Sequence, residues 1–216
     1  MILHTAPQGS PEWQQARAGC ITGSMFATAR EKLKCGPNKG DYTTAAKDYA
    51  FRLAIERISG QPLDEGFETW AMKRGHELEP AARAEHEVAI GVLVQPVGFV
   101  TTDDGKFGAS ADGFIGTDGG AEYKCLVSPE RLRSVILTGD LSEFTDQMQG
   151  GMWITGRKWW DFGLYCPALA PIGRQFTHYR MMRDDNYIDA LELDLIAFER
   201  LVSENEAALR NFKEAA

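Results

Sequence analysis

At 216 residues and 23.9 kDa, with 44% hydrophobic and 25% charged residues, the chain has apolar material for one sizeable core, which predicts a single domain over residues 1–216. No run approaches the roughly 20 apolar residues of a membrane span, and Met1 to Ser10 lacks the basic end and apolar run of a signal peptide, so a soluble cytoplasmic protein without a membrane partner is expected. A net charge of −8 argues against a nucleic-acid partner, but nine acidic and three basic residues between Asp184 and Ala216 account for −6 of it and leave residues 1–183 near neutral.

Ser10-Pro11-Glu12 opens a helix by capping and by proline at the first helical position; it runs to about Arg17, with Gly19 beyond its end. Ser24 is a second candidate cap, for a helix through Phe26 and Ala29 that runs out near Lys34. Cys35 to Asp41 holds Gly36, Pro37 and Gly40 and reads as a loop. Ala50, Leu53, Ala54 and Ile58 recur at helical spacing from Thr44 to about Ser59, and Gly60-Gln61-Pro62 stops the run. A further helix from Glu68 to about Ala89 must kink or restart at Pro80, which removes an amide donor.

The texture then becomes that of short strands. Val92-Leu93-Val94, Gly98-Phe99-Val100, Lys106-Phe107-Gly108, Gly113-Phe114-Ile115 and Ala121 to Cys125 are separated by turn-formers such as Asp103-Asp104-Gly105 and Thr117-Asp118-Gly119-Gly120. Helical patterns return over Pro129 to Leu137 and Ser142 to Ile154, followed by strand-like runs at Trp159 to Tyr165 and Gln175 to Met181. In the last element Ile188, Leu191, Leu195, Phe198 and Val202 step by three and four, so one apolar stripe faces the body. These elements predict an α/β domain with a mixed central sheet flanked by helices. Cys20, Cys35, Cys125 and Cys166 show no metal-ligand spacing and are expected as reduced thiols in or near the core.

The constellation richest in chemistry is Asp112 followed by Glu122-Tyr123-Lys124. A strand over Ala121 to Cys125 puts Glu122 and Lys124 on one face and Tyr123 and Cys125 on the other. Asp112 lies in the turn leading by a hairpin into that strand, so the two carboxylates can converge, and hard oxygen ligands with room for water suit magnesium. Such a site fits phosphodiester hydrolysis, with Lys124 positioning or deprotonating the attacking water. A surface ion pair is the competing reading of Glu122 and Lys124. Glu79, in Arg74-Gly75-His76-Glu77-Leu78-Glu79, can add a third carboxylate or belong to a solvated helix face. Gln147 and Gln149, two residues apart on a helix, point to different faces, so at most one reaches a common site. Arg17, near the Thr22-Gly23-Ser24 helix start, can seat a phosphate, or be an ordinary surface arginine beside a capped helix.

Taken in order, these pieces resemble one family. Trp13 to Ser24 is similar to its W-x3-R-x-G-x-[IV]-T-[AG]-S opening, Gly75 to Glu79 to G-x3-E, Ser110-Ala111-Asp112-Gly113 to S-P-D-G, Glu122 to Cys125 to E-x-K-C, and Gln147-Met148-Gln149 with Met152-Trp153 to Q-x-Q-x2-M-W. On these motifs the chain resembles, over about Gly9 to Phe212, the phage lambda exonuclease family, or YqaJ-like viral recombinases, on the restriction-endonuclease-like PD-(D/E)xK fold. Ala111 stands where the family more often has proline, a change that removes no ligand.

The resemblance implies a magnesium-dependent exonuclease, with manganese a possible substitute. It would digest linear double-stranded DNA 5'→3', release 5'-mononucleotides and leave a 3' single strand for recombination by strand annealing. Asp112, Glu122, Glu79 and the backbone carbonyl of Tyr123 would hold metal. Lys124 would orient or activate the water with help from Gln149, and Arg17 would seat the 5'-phosphate, with Ser24 and Ser110 as weaker contacts. The resemblance also implies a ring-shaped homotrimer, a single-strand annealing protein as partner, and a phage or prophage origin in a bacterial host. A ring can turn acidic faces outward, which reconciles the charge with DNA binding. Arg30, Lys32, Lys34 and Lys39 are candidates for a DNA track, or for a solvated loop. A structure-specific endonuclease of the same fold and a non-catalytic DNA-binding protein are the alternatives.

Overall fold

A computed structural model describes residues 1–63 and 69–212. In chain order the elements are β1 (Ile2–His4), α1 (Pro11–Arg17), β2 (Ile21–Thr22), α2 (Phe26–Ala29), α3 (Thr44–Ser59), α4 (Trp70–Ile90), β3 (Phe99–Thr101), β4 (Phe107–Ala109), β5 (Gly113–Ile115), β6 (Gly119–Lys124), α5 (Pro129–Arg133), α6 (Thr145–Thr155), β7 (Trp159–Tyr165), β8 (Phe176–Met182) and α7 (Asp185–Arg210). The mixed α/β architecture is as expected from the sequence, with the strands shared between two four-stranded mixed sheets. The chain divides into two compact units and crosses between them four times: Met1–Glu65, Gly98–Ser110 and Asp184–Ala216 form the first, Gly66–Val97 and Ala111–Arg183 the second. No helix among the described residues is long and apolar enough to cross a membrane.

The first unit holds the sheet β1-β3-β4-β2, in which β2 runs parallel to β4 and the other pairs are antiparallel. Ser10 caps α1 by accepting from the Trp13 amide, and Thr43 caps α3 by accepting from Ala46. Gly60 ends α3 at φ 67°, a left-handed conformation that glycine adopts without a Cβ clash. The α7 stripe is buried as its spacing predicts, Ile188, Leu191, Leu195, Phe198 and Val202 each being at most 2% exposed. Each such burial contributes about 1.5–3 kcal/mol. Phe198 stacks on Tyr49 of α3 at 5.6 Å between ring centroids. Glu199, one residue on, is also buried and takes both Arg57 terminal nitrogens, at 3.0 and 2.7 Å, and Lys106 at 3.1 Å.

The second unit holds the sheet β5-β6-β7-β8: the β5–β6 hairpin, β7 parallel to β6, and β8 antiparallel to β7 at the edge. Trp160 and Phe162 of β7 and Met148 and Met152 of α6 are among the fully buried side chains. Gly120 is required here, because a Cβ on it would lie 2.4 Å from the Trp160 ring.

Several local expectations are corrected. The helix after Ser24 is a single turn, Phe26–Ala29, preceded by a 3-10 turn at Gly23–Met25. Ser24 lies inside that turn, exposed, and caps nothing; Lys32 bridges to Tyr42 instead of extending the helix. Val92-Leu93-Val94 forms no strand, since Val94 turns into the core and only Gln95 bridges, to Phe114. The helix α4 runs unbroken through Pro80, and the expected start at Glu68 lies outside the described residues. Cys35 is exposed, while Cys20 is buried as expected.

Candidate active site

In the second unit Asp112 immediately precedes β5, and its amide donates to the Ala121 carbonyl of β6 at 3.0 Å, so the hairpin ladder sets its place opposite the strand. One Asp112 carboxylate oxygen accepts from the Tyr123 amide. Alternation along β6 puts Glu122 and Lys124 on one face, and Lys124 Nζ lies 2.7 Å from Glu122 Oε1. Glu122 is 4% exposed, so this is not a solvated surface pair. Glu79 of α4 is held by Arg83 one turn on, and Arg83 also donates to the Asp112 carbonyl at 3.2 Å.

The electrostatics show three acids crowding one region. Desolvation pushes the Asp112 carboxyl well above the usual carboxylate range, and the charges of Glu122 and Glu79 push it further, against the pull of Lys124 and the Tyr123 amide. Glu79 is likewise raised, first by burial and then, against Arg83 and His76, by the charge of Glu122. Desolvation disfavours the Lys124 ammonium, but Glu122 and Asp112 outweigh it and raise its pKa. Lys124 is therefore a protonated donor in this arrangement, and orienting the water suits it better than deprotonating it. Burial lifts the neighbouring Cys125 thiol to about 11, so it is not a thiolate nucleophile at neutral pH.

The donor set fits a hard divalent cation: carboxylate oxygens whose mutual repulsion a bound cation relieves. Among the described residues no three His, Cys, Asp or Glu side chains gather in ligating geometry; Arg83 pairs with Glu79, and Lys124 and Gln147 bond to Glu122.

Of the two glutamines, Gln147 is the one bonded to both Glu122 and Lys124. Gln147 donates to Glu122 Oε1 at 2.6 Å and accepts from Lys124 Nζ at 3.2 Å. Gln149 is buried and donates to the Met182 carbonyl at 2.9 Å. Helical phase allowed one of the two, and the sheet against which α6 packs selects Gln147.

In the first unit, Arg17 ends α1 and donates from Nη1 to Ser110 Oγ at 2.9 Å, while Trp13 Nε1 reaches the same hydroxyl at 3.2 Å. Its guanidinium carbon stands 4.1 Å from the Trp13 ring centroid and 5.3 Å from that of Phe99. Burial lowers its pKa, and among the described residues no carboxylate pairs with it. A desolvated cation with donors to spare is a seat for an anion. Ser24 makes no hydrogen bond to this cluster among the described residues. In the basic run, Arg30 is bound to Asp194 at 2.7 Å and Lys32 stands over the Tyr42 ring at 5.3 Å, while Lys34 and Lys39 are exposed.

Residues 12–158 match the YqaJ-like viral recombinase domain. Among solved structures, the alkaline exonuclease LHK-Exo from Laribacter hongkongensis is 32% identical, with a TM-score of 0.78 over 93% of this chain and 97% of that one. The same enzyme in complex with dAMP gives a TM-score of 0.80 at the same identity and coverage. A phage-related exonuclease from Haemophilus somnus 129PT, 17% identical with a TM-score of 0.67 over 88% of this chain and 96% of that one, shares the fold. No curated protein matches the sequence.

Proposed function

Because the chain belongs to the YqaJ-like viral recombinase family, we propose that it is a magnesium-dependent DNA exonuclease. It degrades the 5'-ended strand of linear duplex DNA 5'→3' and leaves a 3' single strand for recombination by annealing. The observation that carries hydrolysis is the grouping of Asp112, Glu122 and Lys124, in which burial and the charges of Glu122 and Glu79 raise the Asp112 carboxyl and one amine is held charged. The observation that favours end-directed cleavage is Arg17, half-buried beside Ser110 with no carboxylate paired to it among the described residues. LHK-Exo, similar over nearly its whole length, has been solved with dAMP, which agrees with a nucleotide product.

Asp112, Glu122, Glu79 and the Tyr123 carbonyl are the residues that would hold magnesium. The chemistry magnesium supplies when bound is neutralisation of phosphate charge and a more acidic attacking water. Lys124, held by Gln147, donates a hydrogen bond that fixes the water or the phosphate oxygen for in-line attack. Arg17 and the Ser110 hydroxyl bind the terminal 5'-phosphate, and Lys34 and Lys39 supply exposed charge for the duplex backbone. By the same family membership we assign a homotrimeric ring, a single-strand annealing partner and a phage or prophage origin; the mass in solution tests the ring.

The test incubates linear duplex, labelled at each end and carrying a 5'-phosphate or a 5'-hydroxyl, with the protein and magnesium. Mononucleotides from phosphorylated 5' ends, with closed circles intact and no cleavage in chelator, are expected. Cut circles or internal fragments make the protein an endonuclease, and no product in magnesium or manganese makes it a binding protein.

A further inference from the structure

His86 lies on α4 seven residues beyond Glu79, two helical turns along, so the two side chains leave one face of the helix. It is fully buried, and each ring nitrogen faces a polar group of the sheet. Nδ1 lies 3.0 Å from the Tyr123 hydroxyl of β6, and Nε2 lies 3.3 Å from Asp161 Oδ2 of β7. Asp161 is also fully buried, and Arg180 of β8 closes on it with Nε and Nη2 at 2.8 and 2.9 Å. The Arg180 guanidinium sits 3.6 Å from the Trp159 ring centroid. Burial opposes ionisation of Asp161, but hydrogen bonds and charge from Arg180 and His86 outweigh it and hold its pKa below the ordinary value. Nε2 makes no aligned hydrogen bond to that carboxylate among the described residues, but the Asp161 charge favours the tautomer with the proton on Nε2, in which Nδ1 accepts from the Tyr123 phenol.

Tyr123 stands between Glu122 and Lys124, and its amide holds Asp112. Rotation of β6 about its axis that shifts the Tyr123 ring moves Glu122 and Lys124 the opposite way, because alternate side chains leave opposite faces. The sheet ladder fixes β6 against β5 and β7 but not against α4. The apolar contacts on this face, from Ala82, Val94 and Ile115, carry no direction. Pro80, directly after Glu79, leaves the helix one hydrogen bond short beside that carboxylate. Gly163, opposite Tyr123 on β7, keeps the space open, since a Cβ there would lie 2.6 Å from Tyr123 Cδ1.

We propose that Arg180, Asp161, His86 and Tyr123 form a positioning relay on the far side of β6, which locks α4 to the sheet and thereby keeps Glu79 in register with Asp112, Glu122 and Lys124. Its catalytic consequence rests on the nuclease reading; its mechanical consequence does not. None of the relay side chains touches the reacting atoms, so His86 and the Tyr123 phenol are positioning groups.

The experiment compares Tyr123→Phe, His86→Leu and His86→Asn with the wild type. Turnover is measured on phosphorylated linear duplex, and residue-resolved amide hydrogen exchange is measured without metal. Loss of one buried hydrogen bond is expected to speed exchange of the amide at position 123 about tenfold in Tyr123→Phe and His86→Leu, while Phe162 and Leu164 stay unchanged. In both variants kcat falls about tenfold with little change in KM for DNA. His86→Asn, whose amide oxygen can take the place of Nδ1, recovers most of both quantities. Wild-type exchange at position 123 in the first two variants, or a His86→Asn as impaired as His86→Leu, overturns the relay. A wild type that cleaves no DNA overturns the nuclease reading instead, and the exchange ratios then decide the relay alone.

Discussion

Arg17→Met is the substitution that best isolates the phosphate seat, because methionine keeps much of the apolar bulk against Trp13 and removes the charge. The guanidinium spends one donor on Ser110, at 2.9 Å, and lies in a site dry enough to lower its pKa, with no carboxylate partner among the described residues. A hydrogen bond to a charged group is worth about 1.5–3 kcal/mol. One such contact to a terminal phosphate therefore corresponds to about 10–150-fold in kcat/KM between phosphorylated and hydroxyl ends. The assay measures initial rates on two linear duplexes differing only at the 5' end, and the quantity read is the ratio of rates. The substitution should collapse that ratio toward unity while the rate on hydroxyl ends stays within a few-fold. Because the desolvation cost of the cation disappears along with its stacking on Trp13, the melting temperature should move little. A wild-type ratio that survives in Arg17→Met would place the phosphate seat elsewhere and remove the main argument for end-directed cleavage.

Lys124→Ala should lower cleavage by about 10²–10⁴-fold, the range for loss of a positioned proton-handling group, with DNA affinity by fluorescence anisotropy largely retained; normal turnover would refute the role. Gln147→Leu should lower kcat by breaking the bridge between Glu122 and Lys124, whereas Gln149→Leu should act mainly on thermal stability by removing the hydrogen bond from the buried Gln149 amide to the Met182 carbonyl. The reverse pattern would restore the family-derived assignment to Gln149. For pH, burial raises the Glu199 carboxyl but the Arg57 hydrogen bonds and charge outweigh it and depress its pKa, with Lys106 adding to the effect. That pair therefore stabilises the fold above the unfolded carboxylate pKa and is lost as pH falls through the lower folded value. Melting temperature followed from pH 7 downward should drop in the acid range, and Glu199→Gln should flatten that drop; an equal slope in both proteins would refute the assignment.

The sequence by itself determined those features that depend on neighbours along the chain. The α3 boundaries, the Ser10 cap, the α7 stripe and the strand Trp159–Tyr165 were legible because capping, glycine stops and helical or strand periods are local. The side-by-side placement of Glu122 and Lys124 was legible for the same reason, as a consequence of period two. The ordered motifs, from Trp13 to Trp153, carried the family. Tertiary structure decided what periodicity leaves degenerate. The strand β1 is three residues long and forms only by pairing with β3, nearly a hundred residues away. Val94 looked like strand and became core filling. Gln147 and Gln149 were equivalent until the packing of α6 chose between them. The seven-residue spacing of Glu79 and His86 was in the sequence too, but spacing names no partner on another element. Asp161, Arg180 and Tyr123 came into reach of His86 only through the parallel β6–β7 pair and the β8 edge, whose register is set by contacts between residues far apart in the chain.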